Sequence, residues 1–387
     1  MFRELDYYAI DGLYTEEERM ARDTVRAFVQ AEVMPDIGKH FSAGVFPLRV
    51  IPRFGELGLL GASLTGYGCP GMSPTAYGLI CQELERGDSG VRSFCSVQSS
   101  LVMYPIWAFG SDAQKQKYLP DMARGHVIGC FGLTEPDFGS NPSGMLTTAV
   151  KSARGYRLTG TKRWITNGSI AHVALVWAKL DGAVRGFLVP TTTPGFTARD
   201  IHGKWSLRAS VTSELILEDV EVGEDALLPG VEGLKGPLAC LTQARFGICF
   251  GAVGAMLACY DEALSYARER VQFSRPIAGY QLVQEKLVEM VGEITKAQLL
   301  NWRLGKLKES GALRPQQVSL AKRNNVSWAR DIARMARDIL GANGVTDEYQ
   351  CGRHMLNLES VYTYEGTHDI HTLVVGQDVT GLAAFDG

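Results

Sequence analysis

The sequence predicts a mixed α and β fold in the order helical, β, helical, and three observations carry that prediction. Apolar residues recur at helical spacing from about residue 15 to 124. Short runs rich in Val, Leu, Thr and aromatics, punctuated by Gly, Asn and Asp, occupy about 129 to 222. From about residue 236, three long segments run on without strong breakers. With 387 residues, the chain has room for two or three packed units and a buried cofactor.

In the first part, TEEERMARDTVRAFVQAEV opens with Thr15 as N-cap, and its acidic first turn complements the helix dipole. Met20, Val25, Phe28, Val29 and Val33 are expected to form its apolar stripe. VIPRFGELGLLG and TAYGLICQELERG suit shorter helices broken by Gly and Pro. GYGCPG at 66–71 matches G-x-G-x-x-G, yet no parallel-strand series follows it, so it reads as a plain loop. In the second part, YRLTGTKRWITN, HVALVWAKL, RGFLVPT and SELILEDVEV read as strands. The three long segments of the third part suggest a helical bundle. Gly247, Gly251 and Gly254 fall near one face of the first, allowing close approach by another helix or a ligand. The second is expected to be apolar on one side through Leu282, Leu287, Met290, Val291 and Ile294.

Hydrophobic residues make up 45% and charged residues 21%, the balance of an ordinary globular protein. A net charge of -3 supplies no global basic field for nucleic acid or an anionic membrane. No run of about 18 apolar residues is evident, so no membrane span is expected. The eight cysteines contain no C-x-x-C pair and read as reduced core thiols. The amino-terminal stretch, MFRELDYYAIDGLYTEEERMARD, resembles neither a secretory signal nor a transit peptide. The expectation is a cytoplasmic protein of bacterial type, or a processed organellar one. His368 and His371 flank Asp369 closely, but no companion cluster completes a metal site. They are expected to be solvated or hydrogen-bonding, and no metal is expected.

Five strings stand out: FGLTEPDFGSNPSG at 131–144, TKRWITNGS at 161–169, ERVQFSRPI at 269–277, ILGANGVTDEY at 339–349 and TYEGTHDIH at 363–371. Singly, each reads as a turn or a strand end. Together, in this order, they resemble the signature segments of acyl-CoA dehydrogenases, over nearly the whole chain. The resemblance implies an N-terminal all-α domain (1–128), a middle β-barrel or sandwich domain (129–230) and a C-terminal four-helix bundle (231–387). It also implies an FAD cofactor, an acyl-CoA thioester substrate, electron-transfer flavoprotein as acceptor and a homotetramer.

By the same resemblance, Phe131, Leu133 and Thr134 would meet the flavin edge and Ser140 the pantetheine. Trp164 would pack on the ring, with Thr166 near its N5 side. Arg270, Phe273, Gln281, Gly341 and Gly344 would serve the pyrophosphate region, and Thr367 and Asp369 would touch flavin. Asn141 departs from the Asp that many relatives carry there. Glu365, in YEGT, matches the family's catalytic base. Abstracting a thioester α-proton requires a carboxylate held in a dry pocket, where burial raises its pKa. Gly366 would let the backbone approach the substrate closely.

For the acyl group, ELERGDSGVRSFCSVQSSL at 83–101 resembles the dicarboxylyl-binding segment of the glutaryl-CoA dehydrogenase group, with Arg92, Ser93 and Glu85 matching. A guanidinium can grip a far carboxylate through two parallel hydrogen bonds. ARFG at 244–247 places Arg245 near the CoA or the base. Tyr364 resembles the decarboxylating form, which yields crotonyl-CoA and CO2. Alternatives are a benzylsuccinyl-CoA-type or non-decarboxylating dicarboxylyl-CoA dehydrogenase, a short-chain acyl-CoA oxidase, and a catalytically silent acyl-CoA-binding protein.

Overall fold

The computed structural model describes residues 5–384. The first four residues of the stretch read for targeting therefore lie outside the described residues. The Glu16–Phe28 helix begins as predicted: the Thr15 hydroxyl accepts from Glu18 N at 3.2 Å, and the Glu18 carboxylate accepts from Thr15 N at 2.9 Å. Val25, Phe28, Val29 and Val33 are buried as expected, but Met20 is 62% exposed. Met20 precedes Val25 by five residues, which is about 140° around a helix, so it faces away from the stripe. The same offset corrects Leu282, which precedes Leu287 by five residues in the Gln281–Glu309 helix and is 73% exposed. Leu287, Met290 and Ile294 are buried there.

GYGCPG forms a tight hairpin, Thr65–Gly66 pairing with Cys69–Pro70, and opens no dinucleotide-binding unit. Next comes a seven-stranded sheet. Its order is Gly129–Gly132, Val173–Leu180, Thr148–Ser152, Gly155–Thr166, Thr212–Val222 and Phe196–Asp200, while Ala183–Pro190 pairs with Val173–Leu180. The sheet meets the first helical part at Gly129. A Cβ there would lie 2.5 Å from Val102 Cγ1, and the Gly129 N–H donates to Gln98 Oε1 at 2.8 Å.

Helices return with Lys235–Glu269, Gln281–Glu309, Pro315–Ile339, Gln350–Thr363 and His368–Thr380. By length and composition the Lys235–Glu269 helix is apolar enough to cross a membrane. Its most apolar window is 78% buried within the protein, where it packs against the Pro74–Gly87 helix and the other long helices of the bundle. Its glycines permit that packing. A Cβ at Gly247 would lie 3.0 Å from Cys81 Sγ, at Gly251 2.0 Å from Glu85 Oε2, and at Gly254 1.9 Å from Gln82 O. All eight cysteines are free, seven of them buried.

Candidate active site

The Gln350–Thr363 helix ends in a turn of Tyr364, Glu365 and Gly366, after which the Thr367 hydroxyl caps the His368–Thr380 helix by accepting from Ile370 N at 3.1 Å. Glu365 has φ 53° and Gly366 has φ 90°. A non-glycine residue in that region costs about 1–3 kcal/mol and persists only where its surroundings enforce it. Here Arg245 Nε donates to the Glu365 carbonyl at 2.6 Å. Lys322 Nζ donates to the Gly366 carbonyl at 2.7 Å and also to the Tyr364 carbonyl. At Gly366 a Cβ would fall 2.9 Å from the His371 ring. Glu365 Oε2 is sealed from solvent without a hydrogen-bond partner. Burial raises the Glu365 pKa above the usual carboxylate range, against the opposing pull of Arg92, Lys322 and Arg245.

Beside this turn lies Arg92, from the Ser89–Ser96 helix and 1% exposed. Its Nε donates to Glu85 Oε2 at 2.6 Å, and a terminal nitrogen donates to the Tyr364 hydroxyl. Ser89 Oγ donates to the other Glu85 oxygen at 2.8 Å, and Ser93 Oγ lies 3.5 Å from the Tyr364 hydroxyl. Burial works against the Arg92 charge, but Glu85 and Tyr364 together more than offset it and keep the guanidinium ionised. Glu85, Arg92, Ser93, Tyr364, Glu365, Gly366 and Arg245 therefore form one cluster, although they come from three separate stretches of chain.

The sheet residues form a second group. Pairing of Gly155–Thr166 with Thr212–Val222 slips between Lys162 and Ile165. That bulge turns Trp164 outward, with φ 64° and 55% exposure, while Lys162 and Ile165 stay buried. Thr166 follows, half-buried. The 131–134 segment is tied to the same bulge: Arg163 N donates to the Thr134 carbonyl at 2.8 Å and Lys162 Nζ to the Leu133 carbonyl at 3.1 Å. Phe131 and Leu133 are themselves buried, Phe131 edge-on to Trp177 at 6.3 Å, so only their backbone can meet a ligand. Ser140 lies exposed in the following loop.

Arg270, Phe273, Gln281, Gly341 and Gly344 form a third group. Phe273 and Ser274 have φ 50° and 66° at the tip of a two-residue hairpin, and Phe273 is 90% exposed. Arg270, Gln281 and Gly341 are exposed and Gly344 is buried. The hydrogen bonds and ring contacts around these residues, such as Asn343 Nδ2 to the Tyr266 hydroxyl at 3.0 Å, run within the bundle. Asp369 is exposed in the first turn after Thr367.

Three features beside these groups escaped the sequence reading. Lys322 is 1% exposed, and it continues the i, i+4 apolar face of Val318 and Val326, which was the available signal. Glu135 and Lys162 pair at 2.8 Å beneath the 131–134 segment, where Glu135 also accepts from Leu146 N at 2.6 Å and Thr147 N at 2.9 Å. His371, expected to be solvated or hydrogen-bonded, is 1% exposed and neither ring nitrogen has a well-formed hydrogen bond. Its ring packs against the Glu365 turn, where a Cβ at Gly366 would lie 2.9 Å from it. His368 stacks on Tyr362 at 4.6 Å. Among the described residues, no group of three or more His, Cys, Asp or Glu is placed to hold a metal.

The second group fits a planar ring cofactor. An outward indole in a strained backbone, a hydroxyl two residues on and a fixed backbone edge at 131–134 supply stacking, a polar contact and main-chain groups.

Comparison with known proteins follows the same lines. The acyl-CoA dehydrogenase N-terminal, middle and C-terminal domain families match residues 15–126, 130–220 and 232–380. A crystal structure of glutaryl-CoA dehydrogenase from Mycobacterium smegmatis is 57% identical, covers 98% of both chains and has a TM-score of 0.96. A glutaryl-CoA dehydrogenase from the same organism, in complex with FADH2, is 51% identical over 100% of both chains, with a TM-score of 0.98. The mitochondrial short-chain specific acyl-CoA dehydrogenase of Bos taurus is 35% identical, covering 93% of this chain and 89% of its own.

Proposed function

Because the chain belongs to the acyl-CoA dehydrogenase family and is an FAD-dependent oxidoreductase acting on acyl-CoA, we propose that it oxidises glutaryl-CoA and decarboxylates the product to crotonyl-CoA and CO2. The observation that carries this reading is the charge of the buried cluster. Three cations, Arg92, Lys322 and Arg245, surround two carboxylates, Glu85 and Glu365. A dicarboxylyl thioester would bring the missing anion, its far carboxylate meeting Arg92 and Ser93. Two solved glutaryl-CoA dehydrogenases above half identity support the same substrate.

In this reading Glu365 takes the thioester α-proton, its raised pKa making it a stronger base than a solvated carboxylate. FAD, held by Trp164, Thr166 and the 131–134 backbone, would supply the hydride-accepting chemistry needed at the β-carbon. Trp164 and Thr166 orient the ring, and the 131–134 backbone sets its edge. Arg92 holds the far carboxylate until it leaves as CO2, and Glu365 returns its proton to the remaining dienolate carbon. Ser140 would serve the pantetheine, and Arg270, Phe273, Gln281, Gly341 and Gly344 the pyrophosphate region. Exposed Phe273, Leu282, Val288 and Val379 suit subunit contacts in a homotetramer, and electron-transfer flavoprotein would receive the electrons.

Turnover of paired thioesters tests the assignment. Glutaryl-CoA is expected to outcompete butyryl-CoA and benzylsuccinyl-CoA, with electrons reaching electron-transfer flavoprotein faster than oxygen. Preference for butyryl-CoA, or rapid oxygen consumption, would overturn it.

A further inference from the structure

We propose that Lys322 is a positioning residue for the base, holding the carbonyls on either side of Glu365 and keeping a positive charge behind its carboxylate. This rests on the reading of Glu365 as the base. Three consecutive main-chain carbonyls are each taken by a cation: Tyr364 and Gly366 by Lys322, and Glu365 by Arg245. The turn they enforce is one that Glu365, at φ 53°, would not adopt freely. Lys322 is 1% exposed, and no carboxylate lies within ion-pair distance of it among the described residues. Two main-chain carbonyls hold its ammonium in place, and the anion that favours its charge most is Glu365.

The groups facing Lys322 come from every neighbouring element. Arg245 and Cys249 lie on the Lys235–Glu269 helix, Arg92 on Ser89–Ser96, His371 on His368–Thr380, and Tyr364 and Glu365 on the turn. Burial draws the Lys322 pKa down to about 7, with Glu365 pulling it up and Arg245 and Arg92 pushing it down. Lys322 is one of the cations that oppose the rise of the Glu365 pKa, so removing its charge lets that pKa rise further.

Two variants separate charge from hydrogen bonding. Lys322→Gln keeps an N–H donor for the carbonyls and loses the charge, whereas Lys322→Arg keeps both. Two readouts are titrated in FAD-loaded protein. One is the infrared carboxylic-acid band that Glu365→Gln removes, and the other is the rate of flavin bleaching by glutaryl-CoA. In Lys322→Gln both are expected to move about one pH unit upward, making bleaching roughly tenfold slower on the acid side and little changed above it. Lys322→Arg should titrate at or below the wild-type position. An unmoved infrared titration in Lys322→Gln, or the same loss of rate at every pH, overturns the proposal. Should Lys322→Gln fail to hold FAD, an acid limb above the wild-type position in Lys322→Arg overturns it alone. Bleaching that survives Glu365→Gln defeats the reading of the base instead.

Discussion

The guanidinium of Arg92 lies against the ring of Tyr364, its central carbon 5.7 Å from the ring centre, and donates to the phenol oxygen. That contact joins the proposed anchor of the substrate's far carboxylate to the residue next to the proposed base, Glu365.

Arg92→Lys is expected to keep the charge and lose the planar fork. Specificity for glutaryl-CoA, read as kcat/KM, should fall about 10- to 100-fold, while butyryl-CoA turnover changes by less than about threefold. Equal losses for both thioesters would place Arg92 in the scaffold.

Glu365 must be ionised to take a proton, and its pKa is raised by burial. The rate of anaerobic bleaching should therefore fall as pH drops through a point above the ordinary carboxylate range. Arg245→Met removes one of the cations opposing that rise, so its acid limb should lie at higher pH still. Stopped-flow rates across pH 5 to about 9 check both directions.

Much of this was legible in the sequence, and the exceptions share a cause. Thr15, the strand runs and the long helices announce themselves through local rules of capping and periodicity. Glu365, Arg92 and Trp164 were found because their strings resemble a family's. Lys322 was missed because a lysine on an apolar helix face meets the Glu365 turn only when the chain folds that turn against it. The outward turn of Trp164 depends on a register slip against a strand some fifty residues away, which no local pattern contains. His371 lost its expected solvent for the same non-local reason.

Gly251→Ala should disturb the site without touching any ligand. The new Cβ would fall 2.0 Å from Glu85 Oε2 and 3.3 Å from Arg92 Nε, so the ion pair must shift. A stability loss of about 1–3 kcal/mol is expected from overpacking. A higher KM for glutaryl-CoA than for butyryl-CoA, relative to wild type, should accompany it. Thermal unfolding and paired kinetics measure the two effects.

His371 is held neutral, its pKa lowered to about 2 by burial and by Lys322 and Arg245. Below about pH 6.5 the unfolded chain binds a proton at this histidine that the folded protein refuses, so stability falls as pH drops. The slope from this one group is at most about 1.4 kcal/mol per pH unit. His371→Phe should flatten the decline of the melting temperature between about pH 6.5 and 4.5. An unchanged decline would assign it to other groups, His354 among them.

The most direct test of the account is anaerobic mixing of the FAD-loaded protein with glutaryl-CoA, following flavin absorbance and released CO2 together. The account predicts bleaching with one CO2 per flavin, and neither signal in Glu365→Gln. Bleaching without CO2 would contradict the decarboxylating step, and an oxidised flavin that butyryl-CoA nevertheless bleaches would contradict the assignment of Arg92.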